Sequence, residues 1–131
     1  MYLVDTSVLT RLRKPGVAQT LLALEDLHYA PISALEYRFS AANATQWDSL
    51  SQVLAGFERA PFPQGAFDRA DEVQRLLAAR GLKGHKPPDL IIAAHAELAR
   101  LTVLHYDHDF DHIASVTGQR TLWVAQPGTL D

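Results

Sequence analysis

Short, mostly apolar runs alternate along this chain with longer segments in which apolar residues recur every three or four positions. The runs are Tyr2–Val4, His28–Ile32, Ala60–Phe62, Leu101–His105 and Thr121–Val124. A short apolar run bounded by turn residues reads as a buried strand. Pro31 lacks an N–H for a sheet ladder, so the second strand is expected to end by Ala30. The helical segments are read from spacing. Thr6–Lys14 is stopped by Pro15-Gly16. Val17, Leu21 and Leu24 mark a second helix reaching about Leu27. Ser33-Ala-Leu-Glu36 has the form of a capping box and predicts a third helix opening at Ser33. Trp47, Leu50, Leu54 and Phe57 share one helical face, and Gly56 marks that helix's end. Phe67, Ala70, Val73 and Leu77 share another, closed by Gly81 as a C-cap. Pro87 and Pro88 pre-set a helix over Asp89–Arg100, and Phe110–Val116 gives a short last one. Alternating apolar strands and helices predict an α/β fold with a parallel sheet covered on both faces.

Composition narrows this only a little. A length of 131 residues points to one domain spanning residues 1–131. There is no cysteine, which removes disulfides, thiolate metal sites and cysteine nucleophiles, and fits a reducing cytoplasm. The N-terminal MYLVDTSVL has no basic n-region, so it does not read as a signal peptide. No run approaches the ~20 apolar residues that cross a bilayer, so no membrane is expected. The net charge of −3 lacks the basic surplus usual for nucleic-acid binders. A polyanionic substrate would therefore need local offset, from bound cations or a basic cluster.

The placement of acids changes the picture most. Asp5 directly follows the first strand, and Asp107 and Asp109 follow the Leu101–His105 strand. Glu36 falls shortly after the second strand, and Asp89 opens a helix. Ligands in open parallel sheets bind outside the carboxyl ends of the strands, which is where these residues collect. Singly, each has a plain role: Asp5 as an N-cap, Glu36 as partner of Ser33, Asp89 as a first-turn acid, Asp107 and Asp109 as loop residues. Together they point elsewhere. Several carboxylates in one hollow repel one another unless a cation sits among them, and hard oxygen ligands select Mg²⁺ or Mn²⁺.

Other chemistry fits poorly. Asp107-His-Asp-Phe-Asp111 begins like a calcium loop, but His112 and Gly118 stand where glycine and glutamate are needed. His108 and His112 are four apart without an obvious third ligand, so they read as surface histidines rather than a zinc site. His95 is expected partly buried with a hydrogen-bond partner, and His85 in a loop that faces substrate. No G-x-S-x-G, G-x-G-x-x-G or P-loop motif occurs.

With these residues assembled, the chain resembles the PIN-domain family, in particular VapC-like toxins of toxin–antitoxin pairs. The carriers are Val4-Asp5-Thr6-Ser7, Ser33-Ala-Leu-Glu36, Pro88-Asp89-Leu-Ile-Ile-Ala-Ala-His95 and Leu104-His-Tyr-Asp107-His-Asp109-Phe-Asp111-His-Ile-Ala114. The resemblance implies a three-layer α/β/α sandwich around a short parallel sheet, and a Mg²⁺- or Mn²⁺-dependent endoribonuclease. It matches Asp5, Glu36, Asp89 and Asp107 to an acidic quartet, and Asp109 to a further acidic position. Thr6 or Ser7 matches a hydroxyl that supports the first aspartate. His105 departs from the pattern, because many members carry Thr or Ser there. The resemblance also implies RNA as substrate, a homodimer, and a cognate antitoxin that blocks the pocket. Arg11 and Lys86 are candidate phosphate contacts. The alternatives are a catalytically silent PIN-like module and a receiver-like module. A receiver needs an aspartate ending the third strand and a late lysine; no lysine follows Lys86. The D-x-D signature of aspartyl phosphatases is missing as well, since Thr6 and Ser7 follow Asp5.

Overall fold

A computed structural model describes residues 1–131. The elements, in chain order, are β1 (Tyr2–Val4), α1 (Thr6–Leu9), α2 (Val17–Leu22), β2 (Leu27–Tyr29), α3 (Pro31–Tyr37) and α4 (Ala44–Leu54). Then follow β3 (Glu58–Arg59), α5 (Ala66–Ala79), α6 (Pro87–Ala99), β4 (Thr102–His105), α7 (Asp109–Thr117) and β5 (Thr121–Trp123). The alternation expected from the sequence is present, and the differences have local causes.

The first helix is a single turn rather than a segment reaching Lys14. Beyond it, Arg11 N–H bonds Val8 and Lys14 N–H bonds Arg11, three-residue turns that tighten the chain ahead of Pro15. The second helix stops at Leu22, and Asp26 takes a left-handed φ of 56° before β2 begins. The third helix starts at Pro31, not Ser33, because proline's fixed φ suits the first helical position. Ala30 is then the N-cap and caps nothing with its side chain, so the capping box is not formed. The third strand is Glu58–Arg59 rather than Ala60–Phe62. Ala60 still donates to Tyr29 at 2.9 Å, but Pro61 and Pro63 can donate nothing further. The sixth helix opens two residues earlier than expected, with Lys86 as N-cap, which puts Asp89 in its first turn. Gly81 follows α5 with φ 72°, the left-handed conformation expected just past a helix end.

All five strands are parallel, in the order β3-β2-β1-β4-β5. From β1 the chain moves outward through β2 and β3, then returns to pair β4 on β1's other side. The order reverses between β1 and β4, which opens a crevice at their carboxyl ends.

Strand alternation sends neighbouring residues to opposite faces. Leu3 and Val103 join Val73, Leu77, Ile92 and Phe110, from α5, α6 and α7, in one core. Val4 and Leu104 join Val8, Leu9, Val17 and Leu21, from α1 and α2, in the other. Burying each such side chain contributes about 2 kcal/mol, so β1 and β4 are clamped from both sides. The result is a three-layer α/β/α sandwich whose rigid centre is the strand pair that carries the crevice.

Candidate active site

The residue after β1 is Asp5, and its backbone remains in the sheet: Asp5 N–H donates to Leu104 O at 2.9 Å. Its side chain turns into the crevice and is almost wholly buried. Oδ2 accepts the Ser7 N–H at 3.0 Å, so Asp5 does cap α1. Oδ1 is buried with no hydrogen-bond partner. Capping therefore accounts for one oxygen and leaves the other free. Burial pushes the carboxyl up to about 6, against the hydroxyl and N–H of Ser7, which favour the charged form, and Glu36 raises it further.

The two hydroxyls beside Asp5 tie the rim together. Ser7 Oγ accepts the Tyr106 N–H at 2.9 Å, joining the exit of β1 to the exit of β4. Thr6 Oγ1 donates to Glu36 Oε1 at 2.8 Å, joining α1 to α3. Glu36 thus answers to Thr6, not to Ser33, whose hydroxyl is buried without a partner.

Asp107 follows β4 after one residue. Its Oδ1 accepts the Asp109 N–H at 2.9 Å, which turns the chain into α7 and brings Asp109 alongside. Its own N–H donates to Nδ1 of His105 at 3.2 Å. His105 is fully buried between Phe110 and Trp123, with ring centroids 5.1 and 4.9 Å away. Burial lowers its pKa to about 4, so the ring is neutral and Nδ1 is free to accept. His105 thereby fixes the backbone that aims Asp107. Nothing in the sequence around His105 signalled that role.

Asp89, in the first turn of α6, completes the set. Its Oδ2 is buried and unpartnered. One oxygen each from Asp89, Asp107 and Asp109 lie within 4.8 Å of one another. Burial first, and then the charges of Asp5, Asp107, Asp109 and Glu36, push Asp89 up to about 7. All five predicted acids therefore face one hollow, and none makes an ion pair with Lys, Arg or His. An all-oxygen donor set with two orphaned buried carboxylate oxygens fits a hard divalent cation.

The predicted phosphate contacts stand differently. Arg11 is already engaged: Nη2 donates to Asp131 at 2.7 Å, Nη1 to Ser7 O at 2.8 Å, and the guanidinium lies 4.9 Å over the Tyr106 ring. Lys86 is exposed at the mouth of α6. His95 is fully buried, edge-on to Phe62 at 5.5 Å, with neither ring nitrogen hydrogen-bonded. The Pro61 backbone is its polar neighbour, outside full hydrogen-bond geometry. His112 pairs not with His108 but with His85, which the sequence did not suggest.

Known proteins share this sequence pattern and fold. The PIN domain pattern matches residues 2–116. Ribonuclease VapC51 of Mycobacterium tuberculosis is 44% identical over 133 residues, covering 99% of this chain and 97% of its own. Ribonuclease VapC18 of the same organism is 40% identical over 136 residues, covering 99% of each. Among solved structures, VapBC2 from Rickettsia felis bound to a promoter DNA fragment gives a TM-score of 0.79 at 17% identity, over 93% of this chain and 97% of that one. A toxin–antitoxin complex from Klebsiella pneumoniae gives 0.75 at 22% identity, over 95% and 98%. Fold, acidic crevice and sequence agree: the chain belongs to the PIN domain family, among its VapC-type members.

Proposed function

We propose that this chain is the endoribonuclease toxin of a VapBC-type toxin–antitoxin pair, a single domain over residues 1–131 acting in the cytoplasm as a homodimer. Mg²⁺ or Mn²⁺ is its cofactor, RNA its substrate, and a cognate antitoxin its inhibitor. The names of its relatives support the ribonuclease, and the toxin–antitoxin complex that shares its fold supports the pairing. The observation that carries the chemistry is the approach of Asp89, Asp107 and Asp109 oxygens to within 4.8 Å of one another, with Asp5 and Glu36 beside them and no ion pair to any of the five.

Asp5, Glu36, Asp89 and Asp107 hold the cation in this reading, and Asp109 extends the site. When bound, a divalent ion supplies an activated water and charge neutralisation at the scissile phosphate. The chain's own residues set the geometry. Ser7 holds one Asp5 oxygen and leaves the other facing the crevice. Thr6 orients Glu36, and His105 anchors Asp107 through its N–H. Lys86, with Arg11 if it releases Asp131, offsets the negative rim for an incoming phosphate. No helix is long and apolar enough to cross a membrane.

The test is cleavage of total RNA by the purified chain, freed of any co-purified protein, in Mg²⁺ or Mn²⁺. Discrete products that EDTA and Asp5→Asn both abolish are expected. Cleavage that survives either treatment overturns the assignment. Absence of both cleavage and metal binding would favour a silent binding module.

A further inference from the structure

One other group of ligating side chains converges outside the acidic crevice. His85 sits in the loop between α5 and α6, and His112 lies on α7. His85 Nε2 and His112 Nδ1 approach to 3.1 Å with the rings nearly perpendicular, at 81°. An oxygen of Asp109 and one ring nitrogen of each histidine lie within 4.8 Å of one another. Asp109 and His112 are three residues apart on α7, so they share a helix face. His85 is delivered to the same spot from 27 residues earlier.

We propose that His85, His112 and Asp109 form a second metal site, for a first-row transition dication such as Zn²⁺, joined through Asp109 to the all-oxygen crevice. Two nitrogens 3.1 Å apart, each about 2.05 Å from a common ion, subtend an angle of about 98°, between octahedral and tetrahedral values. Two imidazoles and one carboxylate are a donor set for Zn²⁺, Co²⁺ or Ni²⁺ and a poor one for Mg²⁺. His112 is exposed, so the remaining coordination positions open to solvent. The same nitrogen separation also suits a hydrogen bond between two neutral rings. That bond explains the pair but not the third ligand, Asp109, held within reach of both rings. Asp109 also belongs to the Asp89–Asp107–Asp109 group, so an ion on the histidines borders the crevice. The site does not depend on the chain being a nuclease.

The test is calorimetric titration of the full chain with Zn²⁺, for wild type, His85→Ala, His112→Ala and Asp89→Asn. Zn²⁺ affinity is expected to fall tenfold or more in each histidine variant and by less than that in Asp89→Asn. In the wild-type chain, imidazole NMR during the same titration should shift His85 and His112 ahead of the other four histidines. A smaller loss in both histidine variants, or a Zn²⁺ site that Asp89→Asn removes, overturns the proposal. So does a titration in which the His85 and His112 resonances stay in place, an outcome that needs no variant to fold.

Discussion

Where α5 meets α6, Glu97 accepts the Arg69 guanidinium through both oxygens, at 2.6 and 3.1 Å, and Glu72 takes a third bond at 3.1 Å. At the carboxyl edge of the sheet, five acids gather with no such partner, and two of their oxygens are buried and unbonded. The same residue type is treated in opposite ways within one small fold. The latch is complete as it stands, since each of its carboxylates bonds the guanidinium. The crevice is incomplete: burial and like charge push Asp5 and Asp89 far above ordinary carboxyls. A fold that tolerates such crowding at its most rigid point, between β1 and β4, leaves room for a cation that resolves it.

Changing one residue on either side should separate the two regions. The largest effect belongs to the crevice: Asp5→Asn or Asp89→Asn should cut RNA cleavage by about 10³-fold, about 4 kcal/mol of barrier, in a fixed-time assay with Mg²⁺. Asn keeps an acceptor for the Ser7 N–H, so the cap of α1 survives.

Stability should move the other way. A carboxyl whose folded pKa is raised binds its proton more tightly in the folded state. Its contribution is full below about pH 4 and is lost as pH rises toward 7, the value reached by Asp89. Metal-free Asp89→Asn should therefore match wild type near pH 4 and exceed it by roughly 4 kcal/mol at neutral pH. Urea melts in EDTA across that range check this. His105 works against the trend, since its depressed pKa makes it lose stability as pH falls from about 6.5 toward 4. The comparison with the variant cancels that term.

The latch should behave in the ordinary way. Arg69→Met should cost about 1 kcal/mol, as a partly exposed ion pair does, and leave cleavage within twofold. A large loss of cleavage there would erase the distinction between the two regions. Smallest of all, Lys86→Ala should lower the salt slope of RNA binding by about 0.7, one phosphate contact on a single strand. An unchanged slope would remove Lys86 from the interface.

Much of this was legible because strand ends are legible. Asp5 and Asp107 follow apolar runs immediately, and a parallel sheet brings such positions to one edge. The place of Glu36 after the second strand was legible, but its local partner was not. The Ser33–Glu36 spacing suggested a capping box, but Pro31 took the first helical position and Thr6 became the partner. The third strand was misplaced because Ala60-Pro61-Phe62 is apolar, while the ladder needs N–H groups that prolines lack. The part played by His105 was hidden, since a histidine inside an apolar strand gives no hint that its ring will accept a backbone N–H two residues on. The approach of His85 to His112 depends on how a loop returns across α7, and no local pattern encodes that.

The account rests on the crevice holding a hard divalent ion, and Mn²⁺ binding followed by electron paramagnetic resonance tests that most directly. On the free chain, bound Mn²⁺ should be displaced by Mg²⁺, and its affinity should fall tenfold or more in Asp89→Asn and fall as pH drops below about 7. Mn²⁺ binding equal in wild type and Asp89→Asn, or indifferent to Mg²⁺, would contradict it.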